Sequence, residues 1–174
     1  QLNLLSSHDM PRFFTLVQGA REALELAVLF QMTLPGAPSI YYGDEVGMEG
    51  GSDPDSRRAF IWDESAWDQD LLTWFRRAVA LRRDHRALRR GRYVRLLADD
   101  QHSVYAFARQ GEGESLVVVL NNGASRYELD VDVGDVFDEG AHLQDLWGDL
   151  EARVTGGHAV GTVLAPRSGS VLTV

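Results

Sequence analysis

The chain opens on a short apolar run, Leu2-Asn3-Leu4-Leu5, that ends in Ser6-Ser7 and then His8-Asp9. A run this compact reads as a strand buried on both faces, as in a parallel sheet. Pro11 stops further strand pairing. Residues 13–19 read as a loop or short turn. Residues 20–34 carry a helical pattern, with Ala23, Leu24, Ala27, Val28 and Phe30 on one side and Glu22 and Glu25 suiting its positive end. Pro35-Gly36 stops it, and residues 39–42 form a β-type run that Gly43 breaks before Asp44-Glu45. Strand, helix, strand implies two parallel strands. Polar groups at the carboxyl ends of such strands are where barrels and open α/β sheets keep their chemistry.

Residues 46–67 lack periodicity and hold Gly47, Gly50-Gly51, Asp53-Pro54 and Arg57-Arg58. A loop of that length inside a compact domain usually binds something. It leaves the same strand ends that carry His8-Asp9. Asp68 is a fair N-cap for a helix over 68–83, striped by Leu71, Leu72, Trp74, Phe75, Ala78, Val79 and Leu81. Residues 88–91 look like a domain boundary. Beyond Gly91 the period changes to two. Strands are expected at 93–97, 103–109, 115–120, 126–133, 142–146, 160–164 and 170–174, separated by Gly-, Asn- and Asp-rich turns. That spacing means an antiparallel β-sandwich.

Composition narrows the classes. With 174 residues, 44% hydrophobic and 25% charged, the chain reads as soluble and globular. No run is long enough for a membrane span. The absence of cysteine excludes disulfides and thiolate metal sites. A start at Gln, without an initiator Met or signal peptide, reads as a piece of a longer chain. Localisation is left open, with the cytoplasm ranked above secretion. The net charge of −9 argues against nucleic acid. All 17 basic residues are Arg, nine of them between Arg76 and Arg95. A nucleic-acid patch there is weighed against an exposed helix face, and the second is preferred for want of interleaved aromatics.

Read from the residues alone, two strand ends offer carboxylates, a His and an Arg-bearing Gly-rich loop. A G-x-S-x-G elbow is absent, and a Lys-bearing phosphate loop is excluded by the lack of Lys. No second histidine lies at ligand spacing from His8 and Asp9, so no metal is assigned. Paired carboxylates near aromatic residues suggest glycoside chemistry, with Asp9 and Glu45 as the two acids.

Ser7-His8-Asp9 with Pro11-Arg12, followed by the block from Leu34 to Met48 containing Tyr41-Tyr42-Gly43-Asp44-Glu45, resembles the end of the (β/α)₈ TIM barrel of the alpha-amylase family. Gly50-Gly51-Ser52-Asp53-Pro54-Asp55-Ser56-Arg57-Arg58 with Ile61-Trp62-Asp63 resembles its neopullulanase, cyclomaltodextrinase and maltogenic amylase branch. The resemblance makes residues 1–90 the last quarter of the barrel (strands and helices 7 and 8) and residues 91–174 the β-sandwich that follows it.

What the resemblance implies is a retaining glycosidase acting on α-glucans or maltodextrins. Asp9 takes the place of the third carboxylate, which stabilises the transition state without attacking. His8 matches a partner that hydrogen-bonds the same sugar, and Asp53 and Arg57 match residues that grip it. A purely structural Asp53–Arg57 pair remains the alternative. The family's nucleophile and general acid lie on earlier strands, outside this sequence, so the chain by itself is expected to be inactive. The resemblance moves Asp44 and Glu45 to bracing the loop. Tyr41 and Tyr42 are read as barrel core, and Trp62 and Trp67 as packing residues ahead of groove lining. Ser7 stands where many relatives carry Asn. No cofactor is implied, and a calcium requirement of a longer chain is not readable here. Expected partners are α-linked glucose oligomers, and the missing barrel half or a second copy. Rival readings are a carbohydrate-binding or interaction sandwich and a related isomerase or transglycosylase.

Overall fold

The computed structural model describes residues 1–174, which form two compact units, Gln1–Arg82 and Arg83–Val174. In the first, strand β1 (Leu2–Leu4) pairs in parallel with β2 (Ala37–Ser39), Leu2 opposite Ala37 and Leu4 opposite Ser39. Helices α1 (Phe13–Leu16) and α2 (Arg21–Thr33) lie between them in the chain. Leu24, Leu26, Val28, Leu29 and Met32 of α2 are buried. Gln31, also buried, donates from Nε2 to the Asn3 and Ser39 carbonyls at 2.9 Å each and so ties both strands to the helix. Helix α3 (Gln69–Asp84) starts where expected, with Asp68 Oδ1 accepting from Leu71 N at 2.8 Å, and buries Leu71, Leu72, Phe75, Ala78 and Leu81.

Two expectations are corrected here. The second strand is Ala37–Ser39 rather than 39–42, because the chain turns away after Ser39 and Tyr41 and Tyr42 are drawn around a buried arginine. They are not barrel core; Tyr42 is 40% exposed. Strand β1 stands without further strands on its other edge, and Leu2 and Leu4 are left exposed at 61% and 41%, the uncovered edge expected of two barrel strands alone. Only β2 pairs with β1, and α2 covers one side.

The second unit includes α4 (Arg86–Arg90). Its strands are β3 (Arg92–Asp99), β4 (Val104–Gly111), β5 (Glu114–Asn121), β6 (Tyr127–Glu128), β7 (Val131–Asp132), β8 (His142–Asp145), β9 (Glu151–Thr155), β10 (His158–Val160), β11 (Val163–Leu164) and β12 (Ser168–Thr173). Eight form one antiparallel sheet in the order β3-β4-β5-β12-β8-β9-β10-β7. It curls until its end strands, β3 and β7, lie together. The β6–β11 ribbon contributes Leu164 and Tyr127 to the same interior. Val104, Ala106, Ala108, Val117, Val119, Leu143, Val154 and Leu172 fill that interior, as period-two burial requires. The expected strands 126–133 and 160–164 are each two short pieces, and β9 was missed.

Glu114 fastens α4 to β5. Its Oε2 accepts from Ala87 N at 2.8 Å and its Oε1 sits 2.6 Å from His85 Nδ1. Burial pushes its pKa up, but the Ala87 N–H, His85 and Arg89 outweigh this and leave it below its ordinary value. A depressed carboxyl pKa contributes stability above the unfolded value and loses it as pH falls. Glu114→Gln is therefore expected to cost the second unit about 1 kcal/mol at neutral pH. The difference from the parent should close as pH falls below about 4.3, checked by urea unfolding at several pH values.

Candidate active-site rim

The rim is built from the segments that follow β1 and β2. After β1, Ser6 is buried and its Oγ accepts from Phe13 N at 3.0 Å. Ser7 Oγ accepts from Asp9 N at 3.2 Å, and Ser7 and Met10 form an isolated bridge. This tight turn holds His8 and Asp9 out into solvent, with side chains 63% and 71% exposed.

Arg12 anchors the turn from below. Its guanidinium is fully buried, donating from Nη1 to the Tyr42 carbonyl at 2.7 Å and to Asp44 Oδ1 at 2.9 Å. It lies 4.6 and 4.9 Å from the ring centres of Tyr41 and Tyr42, within cation–π range. Its backbone N–H donates to the Gly50 carbonyl at 2.9 Å. One residue thus joins the turn after β1, the turn after β2 and the long loop. Burial raises the Asp44 pKa, against the Ser6 hydroxyl and the Arg12 guanidinium, which lower it. Glu45 Oε2 accepts from Gly43 N at 2.8 Å, so both acids brace the turn and Glu45 is no partner for Asp9. Gly43 has φ +89°, and a Cβ there would lie 2.3 Å from Met48 Sδ.

The long loop is a chain of three short 3₁₀ turns. Asp55 Oδ2 accepts from Gly51 N at 2.6 Å and both its oxygens accept from Arg58. The Arg58 bonds and the Gly51 N–H hold its pKa below the ordinary value. Gly50 approaches closely enough that a Cβ would meet the Asp55 carbonyl at 2.7 Å. So folded, the loop brings Arg57 to the His8-Asp9 turn. Arg57 Nε donates to the His8 carbonyl at 3.1 Å and lies 2.8 Å from Asp53 Oδ1, while Nη2 lies 3.6 Å from Asp9 Oδ1. His8 Nε2 is 3.2 Å from Asp9 Oδ2. The four residues singled out by sequence, His8, Asp9, Asp53 and Arg57, stand together as one open cluster. Ser56 was missed: it is buried and its hydroxyl donates to the His8 carbonyl at 3.2 Å. So was the joining role of Arg12. No group of three or more His, Asp or Glu is arranged to hold a metal ion.

Known proteins place this rim in a family. The alpha amylase catalytic domain matches residues 1–90, and the neopullulanase-like C-terminal domain matches residues 93–173. The chain belongs to the alpha-amylase family. A cyclomaltodextrinase of a Bacillus species is 42% identical over 127 residues, covering 73% of this chain and 23% of that protein. Neopullulanase 2 of Thermoactinomyces vulgaris is 46% identical over 120 residues, covering 69% and 20%. The crystal structure of the Nostoc punctiforme debranching enzyme superposes on all of this chain and 35% of its own, with a TM-score of 0.84 and 37% identity. The chain thus spans less than a quarter of these two curated relatives. The relatives include the branch expected from the Gly50 to Asp63 block: cyclomaltodextrinase, neopullulanase and maltogenic amylase.

Proposed function

We propose that this chain supplies part of the sugar cleft of a retaining glycoside hydrolase acting on α-linked glucans or maltodextrins. The observation that carries this reading is the cluster in which Arg57 faces Asp53 and Asp9 while His8 stands beside Asp9. Asp9 sits on a turn fixed by Ser7 and backed by Arg12, so its charge is in place before the reaction. A carboxylate fixed near the anomeric carbon stabilises an oxocarbenium-like transition state more than the neutral ground state. His8 would bond the hydroxyls of the same ring. Asp53 and Arg57 would grip the sugar on the non-reducing side, with Arg57 also locking the loop to the His8 carbonyl.

The nucleophile and general acid of such a mechanism are assigned to residues outside this chain. The isolated 174-residue chain is therefore expected to show no turnover of maltotriose or pullulan, measured as reducing ends released. The decisive test replaces the matching segment of the Bacillus cyclomaltodextrinase with residues 1–90 and asks whether hydrolysis then depends on Asp9.

The exposed Leu2 and Leu4 on a two-stranded parallel sheet leave an edge that needs a neighbour. Either further barrel strands or a second copy of this chain would fill that place. The isolated chain is expected to sediment as a dimer or larger; a monomer with protected amides at residues 1–5 would count against this. For the sandwich alternative, which needs an aromatic platform, Phe107, Phe137 and Trp147 are buried and Tyr93, Tyr105 and Tyr127 half-buried, so none of its six candidate rings stands open to a ligand.

A further inference from the structure

Trp62 is 83% exposed, while Trp67, on the same loop, is half-buried. The sequence favours packing for both, and both do touch Phe60, but only Trp67 is covered by its contacts. A large apolar ring left in water is expected to swing freely unless something holds it. Here it is held. Its ring meets Phe60 edge-on at 4.9 Å, and Phe60 meets Trp67 at 5.7 Å. Phe60 and Trp67 rest on buried Val46, Met48 and Leu72. Trp67 Nε1 donates to the Ile61 carbonyl at 2.6 Å, and Tyr42 OH donates to the Arg58 carbonyl at 2.9 Å. Immediately after Trp62, Asp63 Oδ1 accepts from Ser65 N and Oγ. The ring is braced at its back and the backbone is pinned on both sides of it.

We propose that Trp62 is a stacking platform for a glucose unit of an α-glucan chain, beyond the Asp9–Arg57–Asp53 cluster. The exposed neighbours are mixed, Arg58, Asp63 and Glu64 beside Ile61. That surface suits a ligand with an apolar C–H face and a hydroxyl rim better than a protein partner, which needs a broader apolar patch. The negative face of an indole attracts the weakly positive C–H bonds of a pyranose. Trp62 lies five positions after Arg57, which limits their separation to about 18 Å of extended chain, within reach of one oligosaccharide. A platform braced in advance binds without first losing side-chain freedom. The proposal rests on the α-glucan reading of the cleft.

The test is an NMR titration of the 174-residue chain with maltose, maltoheptaose and cellohexaose, following the indole N–H signals of its four tryptophans. Maltoheptaose is expected to shift the Trp62 signal saturably. Trp62→Ala should weaken maltoheptaose binding about tenfold, equal to 1.4 kcal/mol, and maltose binding less. Trp62→Phe should keep most of the affinity. A Trp62 signal unmoved at saturating maltoheptaose, an unchanged affinity in Trp62→Ala, or an equal response to cellohexaose would each overturn the platform. Arg57→Ala separates the two readings. If it weakens binding of every length while Trp62→Ala does nothing, the platform falls and the cleft stands. If only Trp62→Ala matters, the platform stands and what falls is the grip on the sugar assigned to Arg57.

Discussion

Asp9→Asn, made in a cyclomaltodextrinase carrying residues 1–90 of this chain, is expected to lower kcat by about 10³-fold, the scale of removing one preorganised electrostatic group. The substitution keeps the shape of the side chain and removes its charge. Asp9 meets Arg57 only at 3.6 Å, whereas Arg57 holds Asp53 at 2.8 Å and the His8 carbonyl at 3.1 Å. The loop should therefore stay in place and KM should change little. An interaction made only in the transition state lowers kcat and kcat/KM together. Arg57→Ala should instead raise KM strongly, because it frees the loop from the His8 carbonyl and removes the group proposed to grip the sugar. Steady-state hydrolysis of maltotriose checks both. A kcat for Asp9→Asn within tenfold of the parent would defeat the assigned role.

How far the chain could be read beforehand follows from which interactions have a sequence period. The helical stripe from Leu71 to Leu81 and the alternation in β4 and β5 are periodic, and those elements lie where expected. Strand β9 also alternates, with Ala152 and Val154 inside. It escaped notice because a single methyl and one valine between charged neighbours make a weak signal. The end of β2 was misplaced for another reason. Ile40, Tyr41 and Tyr42 have high β propensity, but the Tyr42 carbonyl and both rings are claimed by Arg12, a tertiary contact 30 residues away. Within the rim, residue types at fixed spacing were legible, which is why His8, Asp9, Asp53 and Arg57 could be named. Ser56 acts through a backbone carbonyl, and Arg12 through a carbonyl, two rings and a carboxylate some 30 residues on; nothing in residue spacing announces those. The exposed edge at Leu2 and Leu4 follows from two barrel strands standing without neighbours, whereas the exposure of Trp62 was illegible: an apolar residue signals that it can be covered, not what covers it.

Arg12→Met should be the most damaging single change to the first unit. A buried ion pair that loses one partner costs about 3–5 kcal/mol, since the remaining charge has neither water nor counterion. Here the remaining charge is Asp44, whose pKa burial already raises even with Arg12 beside it. Removing Arg12 takes away two of the influences that lower it and drives the pKa higher. A folded pKa above the unfolded one means stability that is present at low pH and lost as pH rises through the folded value. The penalty of Arg12→Met should therefore be small below the ordinary aspartate value of about 3.9 and grow toward neutrality. The Tyr42 carbonyl also loses its donor. Arg12 carries its own liability, however: Nε and Nη2 are buried without partners. Replacing both members of the pair removes the stranded charge and those orphan donors together. The double variant Arg12→Met/Asp44→Asn should consequently be more stable than Arg12→Met alone, a non-additivity expected only of residues in direct contact. Because the chain has two units, one global transition would blur the effect. Hydrogen exchange at the amides of α2 reports the first unit by itself, and slower exchange in the double variant than in Arg12→Met is the result that supports this account. Equal exchange in the two would mean that the Arg12 side chain acts through the tyrosine rings and the Tyr42 carbonyl rather than through Asp44.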